Sequence, residues 1–204
     1  MLFRSAVPGD GASGNRAGVL RPLPSLDDNR LARLTRAAFE HALTHLQALS
    51  TAGLPLRWRQ SGVLHLARDE RHAATQQRVV AEQSPAAGFL RWVGPETASE
   101  LAGWPVAAGG WWFPGGGWVD PASLCRANLA RHSAAVRPHY LRQVERIAYQ
   151  EGCWRSFDAA GEMIAAAPVL VLANAGDARR FAAASHLPLR TAREIGRASC
   201  RERV

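Results

Sequence analysis

The sequence predicts a mixed α/β fold, and three observations predict it. Apolar residues recur at helical spacing in several long segments, short runs rich in tryptophan, valine and leucine fall between them, and one run near the end is continuously apolar. With 204 residues and 47% hydrophobic content the chain can bury a real core, which excludes global disorder.

Taken in order, residues 8–18 hold four glycines and a proline in eleven positions and predict an irregular loop, because only such backbone supplies the tight approach of a turn or a binding loop. A helix is expected from Ser25, with Ser25 and Asp28 as a capping pair and Leu31, Leu34, Ala38, Leu46 and Leu49 on one face; Gly53 and Pro55 end it. Leu56 to Ala67 predicts a strand bent at Gly62, followed by a helix over Asp69 to Gln83 and a short one over Pro95 to Leu101, where proline suits the first turn. Trp111, Trp112 and Phe113 lie between glycine clusters in Gly109 to Gly117, a pattern that suits a wall against a flat ligand. Pro121 to Ala135 predicts a helix capped by Asp120. Tyr140 to Tyr149 and Cys153 to Phe157 predict paired strands joined by Gln150, Glu151 and Gly152. Pro168 to Gly176 is the continuous apolar run; it predicts a strand buried on both faces, as in a parallel sheet, with a helix over Asp177 to Ala184 behind it.

The formal charge is +8, and all 25 basic residues are arginine. A basic surplus favours an anionic partner such as nucleic acid. Arginine without lysine, beside abundant alanine, glycine and proline, is also what a GC-rich genome encodes, so charge alone does not choose the partner. Cys125, Cys153 and Cys200 are too few and too scattered for a disulfide framework or a zinc site. No run reaches the roughly 18 to 20 apolar residues of a membrane span, and the first residues lack a signal peptide's apolar stretch. The expectation is a soluble, cytoplasmic protein.

Several segments carry candidate chemistry, each beside a plainer alternative. The loop Gly11 to Gly18 offers backbone N–H groups, the Ser13 hydroxyl, the Asn15 amide and the Arg16 guanidinium, the groups that hold a phosphate or the polar edge of a flat cofactor; it can equally be a turn. Gly115, Gly116 and Gly117 precede Trp118 and a helix start, so a ligand can lie flat on Gly117 and Trp118; the alternative is a hairpin turn with Trp118 in the core. The run ending at Gly176 can be any core strand, or a strand whose carboxyl end faces a nucleotide crevice. His41 and His45 sit four apart on a helix without a third ligand, and no metal is expected there. No hydrolase or P-loop pattern is present.

In this order the segments Gly11-Ala-Ser-Gly-Asn-Arg-Ala-Gly18, Gly116-Gly-Trp-Val-Asp-Pro121, Val169 to Gly176 and His186-Leu-Pro-Leu-Arg190 resemble the FAD-dependent amine oxidases of the D-amino-acid oxidase type, and most closely their tRNA-modifying members. The resemblance covers residues 6 to 193. It implies a partial FAD-binding Rossmann-like domain with an inserted antiparallel-sheet substrate domain. It also implies FAD as cofactor and tRNA as substrate: oxidation of a 5-carboxymethylaminomethyl group on a wobble uridine, leaving the aminomethyl group. By motif match it assigns Ala12, Ser13, Gly14, Asn15, Arg16 and Gly18 to the flavin, Ala173, Asn174 and Gly176 near it, and Val144 to adenine through its backbone. The same family contains oxidases of free amino acids and sarcosine-like amines, which is the competing expectation.

Two further expectations concern the ends. Residues 194–204 match the in-frame translation of a short-read sequencing adapter, so the oxidoreductase part is expected to be residues 1–193. Complete members open on a Gly-x-Gly-x-x-Gly unit, which does not precede the loop here, so the chain reads as a piece of a longer protein that is inactive alone.

Overall fold

The computed structural model describes residues 7–9 and 12–189. They fall into two compact units, one made of residues 16–132 and the other of the stretches before 16 and after 132.

The 16–132 unit is built on two three-stranded antiparallel sheets. One has the order β1-β6-β2, from Gly18–Leu20 (β1), Gly117–Val119 (β6) and Trp58–Arg59 (β2); the other has the order β3-β5-β4, from Val63–Leu66 (β3), Gly110–Phe113 (β5) and Arg91–Val93 (β4). The expected strand over Leu56 to Ala67 is thus two strands in two sheets. Gly62, at φ +76°, divides them, and a side chain there would overlap the Trp112 ring. The turn at Gly116 sits opposite this break, because Gly62 donates its N–H to the Gly116 carbonyl at 2.9 Å.

Four helices cover these sheets: Arg30–Thr51 (α1), Glu70–Gln83 (α2), Pro95–Ala102 (α3) and Pro121–Arg131 (α4). Local chemistry starts each one. Asp69 accepts from the His72 N–H at 2.7 Å and Asp120 from the Ser123 N–H at 2.8 Å, so both are N-caps, Asp120 as expected. For α1 the expected Ser25–Asp28 pair is not the cap. Asn29 takes that place, accepting from Leu31 and Ala32, while Asp28 turns to φ +41° and ion-pairs Arg36. Gly53 (φ +70°) follows the C-terminus of α1, as expected.

The core lies between α2 and one face of the β3-β5-β4 sheet. Val79, Leu90, Trp111 and Phe113 are buried together, with Leu26, Val63 and Trp92 packed around them. Burying one such side chain contributes roughly 1.5–3 kcal/mol. The one polar atom of the Trp111 ring is satisfied, since its indole N–H donates to the Gln76 carbonyl at 2.9 Å.

The other unit holds a three-stranded antiparallel meander, Arg146–Gln150 (β7), Cys153–Phe157 (β8) and Met163–Ala167 (β9), in the order β7-β8-β9. The β7–β8 hairpin is the one expected, though β7 starts at Arg146 rather than Tyr140; β9 was not anticipated. Residues 168–174 form no strand, and Val169 and Val171 are 73% and 78% exposed, which overturns the expected buried parallel strand. A ladder needs neighbours, and every strand pairing among the described residues is antiparallel and made elsewhere. The expected helix over 177–184 is two short 3-10 helices, Ala175–Arg180 and Ala182–Ala184.

Candidate functional site

The glycine-rich loop is irregular, as its composition requires. Ala12–Gly14 makes one 3-10 turn, and a Cβ on Gly14 would lie 3.3 Å from the Gly9 carbonyl oxygen, so the chain doubles back tightly there. Ser13 and Asn15 are half-buried and Arg16 is exposed. Among the described residues none of these three side chains makes a hydrogen bond or ion pair, so their donors are unspent.

A second unspent group lies on the 168–176 run. The Asn174 Oδ1 is buried and has no hydrogen-bond partner among the described residues. Such an acceptor costs about 1–3 kcal/mol unless a donor meets it. The next residue, Ala175, stands at φ +51°, a conformation that glycine adopts freely and alanine does not. Ala173 and Gly176 are exposed on either side. Val144 is half-buried in the extended residues just before β7, where Glu145 donates its N–H to the Phe157 carbonyl at 2.8 Å. Within the unit that holds Ser13, Asn15 and Asn174, the unspent donors of Ser13 and Asn15 and the orphaned acceptor of Asn174 are chemistry that a flavin's carbonyls and ring N–H would complete, so these residues fit FAD.

The structure brings together Gly18, Gly117 and Trp118, which stand roughly a hundred residues apart in the chain. In the β1–β6 ladder Gly18 faces Val119, Val19 faces Trp118 and Leu20 faces Gly117. Gly117 has a packing role of its own: any side chain there would overlap the Arg59 carbonyl. Trp118 is 36% exposed rather than in the core. Its cross-strand neighbours are Val19, 66% exposed, and Arg59. Ala12, Ser13, Gly14, Asn15, Val144, Ala173, Asn174 and Gly176 belong to one unit, and Arg16, Gly18, Gly117 and Trp118 to the other.

Two polar clusters escaped the sequence reading. Asp120, almost fully buried, caps α4, ion-pairs Arg57 and donates its backbone N–H to the Arg57 carbonyl; the Ser123 hydroxyl accepts from the Arg57 N–H at 2.9 Å. The Ser123 N–H first, and then Arg57, hold the Asp120 carboxyl below its ordinary range. The capping signal of Asp120 was legible, but its partner 63 positions upstream was not. In the second cluster His65 packs at 5.7 Å from His72 and 5.9 Å from Trp111, between ring centroids. Burial, then the nearby Arg21, His72 and Arg68, push its imidazole below the usual value. The Gln76 Oε1 beside this cluster is buried and has no hydrogen-bond partner among the described residues. His41 and His45 stack on α1, and His45 Nε2 meets Asn128 Oδ1 at 2.8 Å. Among the described residues no group of three or more metal-ligating side chains converges, and no helix is long and apolar enough to cross a membrane.

Comparison with known proteins shows the family and the fold. Residues 1–198 match the family model described as FAD dependent oxidoreductase. The tRNA 5-methylaminomethyl-2-thiouridine biosynthesis bifunctional protein MnmC of Aromatoleum aromaticum is 55% identical over 186 residues, which is 91% of this chain and 29% of that protein. The protein of the same name from an Azoarcus species is 47% identical over 95% of this chain and 30% of its own length. The chain therefore spans under a third of these curated relatives. Among solved structures, glycine oxidase from Geobacillus kaustophilus superposes with a TM-score of 0.61 at 23% identity, covering 85% of this chain and 48% of the other. Iminodiacetate oxidase from a Chelativorans species gives 0.61 at 22%, covering 79% and 45%. These two share the fold, a mixture of helices and antiparallel sheets.

Proposed function

The chain belongs to the family of FAD dependent oxidoreductases, and from that premise we propose that it is part of a tRNA-modifying amine oxidase. In this reading the enzyme removes the carboxymethyl group from 5-carboxymethylaminomethyl(-2-thio)uridine at the wobble position. The observation that carries the reading is the 55% identity over 91% of the chain to a protein named for tRNA 5-methylaminomethyl-2-thiouridine biosynthesis. The oxidoreductase part is residues 1–193, in the bacterial cytoplasm; residues 194–204 lie outside the described residues.

FAD, when bound, supplies the two-electron oxidation of the carbon next to the substrate nitrogen. The residues of the chain bind and orient. Ser13, Asn15 and Arg16 would donate to the cofactor's carbonyl and phosphate oxygens, Asn174 would accept from a cofactor N–H, and Gly18 would present its backbone at the start of β1. Val144 would contribute its backbone to the adenine, and the small residues Ala173 and Gly176 would leave room for the cofactor. Gly117 and Trp118 form the substrate side. Water completes the reaction by hydrolysing the oxidised C–N bond, so the arm leaves as glyoxylate and the uridine keeps an aminomethyl group.

The test is to incubate the full-length protein, loaded with FAD, with tRNA carrying the carboxymethylaminomethyl group, and to follow the nucleosides by mass spectrometry. Conversion to the aminomethyl nucleoside with release of glyoxylate is the expected result. Oxidation of free glycine or sarcosine with the tRNA left untouched would overturn the reading in favour of a small-amine oxidase of the same fold.

A further inference from the structure

The β1-β6-β2 sheet has two unlike faces. Trp58 turns to one side, where its indole N–H donates to the Ser50 hydroxyl of α1 at 2.7 Å. Val119, opposite Trp58, is buried on that same side. Strand alternation therefore puts Val19, Trp118 and Arg59 on the other side. The ladder places Val19 and Arg59 directly across from Trp118, one on each flank. One step further along, the backbone bond from the Asp120 N–H to the Arg57 carbonyl continues the pairing, so Arg57 and Asp120 extend the same face.

Among the described residues this face is largely open. Val19 is 66% exposed, Trp118 36%, and the Arg57 side chain 71%. Arg59 is exposed as well. Its one carboxylate, Asp120, is buried and already holds Arg57, so the face presents positive charge around an open aromatic surface. An arginine steadied by a buried carboxylate keeps further N–H donors for an outside oxygen. Arg57, just before β2, and Arg59 stand two residues apart, roughly 6.6 Å at the rise of extended backbone, so both guanidiniums can meet one stretch of phosphate backbone.

We propose that this outward sheet face is a platform for single-stranded RNA, with one base stacked on Trp118 against Val19 and the flanking phosphates met by Arg59 and Arg57. The inference rests on the RNA-substrate reading above and deepens it: the platform grips a nucleotide of the looped strand that carries the modified uridine. Stacking tolerates any base, because every base has a π-face, and phosphate contacts carry no sequence information. The platform thus selects an unpaired strand over a duplex rather than one sequence over another.

The experiment measures binding of a short fluorescein-labelled oligouridylate to the full-length, FAD-loaded protein by anisotropy over a series of salt concentrations, with a duplex of equal length as control. Circular dichroism melts check that each variant folds. Trp118→Ala is expected to weaken binding roughly tenfold, Trp118→Phe to stay within about threefold of the parent, and Arg59→Gln to lower the slope of log K against log salt by about 0.7. The parent is expected to prefer the single strand to the duplex. If the parent binds and folded Trp118→Ala binds equally well, the platform is overturned while the RNA-substrate reading stands. Failure of the parent to bind either the oligouridylate or tRNA overturns both. If Trp118→Ala abolishes uptake of FAD and leaves RNA binding intact, the face belongs to the flavin and the platform is again overturned.

Discussion

The 16–132 unit and the unit outside it use the same kinds of residue to different ends. In the first, large apolar side chains such as Phe113, Leu46, Leu49 and Leu90 are at or below 2% exposure, and each helix begins at a local capping or proline signal. In the second, the described apolar residues that reach full burial are Ala178 and Ala184, while Val169, Val171, Met163 and Tyr149 are all more than half exposed. Its strands are long enough and well paired, so hydrogen bonding is not what separates the two. Burial separates them. A unit that buries its large side chains carries its own stability, whereas one that hydrogen-bonds its backbone and leaves valines in water draws little from its own interior.

The sharpest way to break that comparison is to remove one aromatic ring from each unit. Phe113→Ala, in the core against Val79 and Trp111, should cost about 3–5 kcal/mol in urea unfolding. Trp154→Ala, half-buried against Tyr149 at 5.1 Å between ring centroids, should cost about 1 kcal/mol. Equal losses would mean that the meander carries as much of the stability as the core.

A smaller effect tests the electrostatic side of the first unit. Because the folded state holds the Asp120 carboxyl below its ordinary value, the stability it contributes is complete above the unfolded value, about pH 4, and is lost as the pH falls through the folded value. Asp120→Asn should therefore lower stability by about 1–2 kcal/mol near pH 7, and the gap to the parent should narrow in acid as the parent loses the same contribution. A gap that is constant from neutral pH to about pH 3 would show that the charge of Asp120 does nothing beyond what its cap supplies.

The smallest expected effect has the opposite sign. Ala175→Gly relieves a left-handed alanine in the second unit and should raise stability by up to about 1 kcal/mol, read as a rise in the urea midpoint. A loss instead would mean that alanine's limits on the unfolded chain outweigh its strain.

What was legible in the sequence was local. The cap Asp120, the proline at the start of α3, the break at Gly62 and the β7–β8 hairpin all follow from a few neighbouring residues, and the structure has them. The start of α1 was misread because Ser25, Asp28 and Asn29 are all competent caps, and only the folded geometry chooses Asn29. The run 168–176 was misread because an apolar run names a wish for burial and not the neighbour that grants it. Partners far along the chain, Arg57 with Asp120 or Val19 with Trp118, left no local trace. The glycine-rich loop and Asn174 were assigned to the flavin through family resemblance; the orphaned Asn174 oxygen adds a physical feature that the sequence could not show.

The pairing of β1 with β6 also sets a timetable. Its residues are separated by roughly a hundred positions, so β1 leaves the ribosome long before its partner exists; at about 5–20 residues per second the wait is roughly 5–20 s. Closing so long a loop is slow by its entropy as well as by synthesis, while β3, β4 and β5 can meet within about fifty residues. Both sheets wait for neighbouring strands, since β6 begins four residues after β5 ends, and Val19 stands as an open strand edge until Trp118 arrives. Newborn chains are most open to wrong pairing during that interval, and a cell that shortens it, by faster translation or by a chaperone held over β1, recovers more folded protein from the same message.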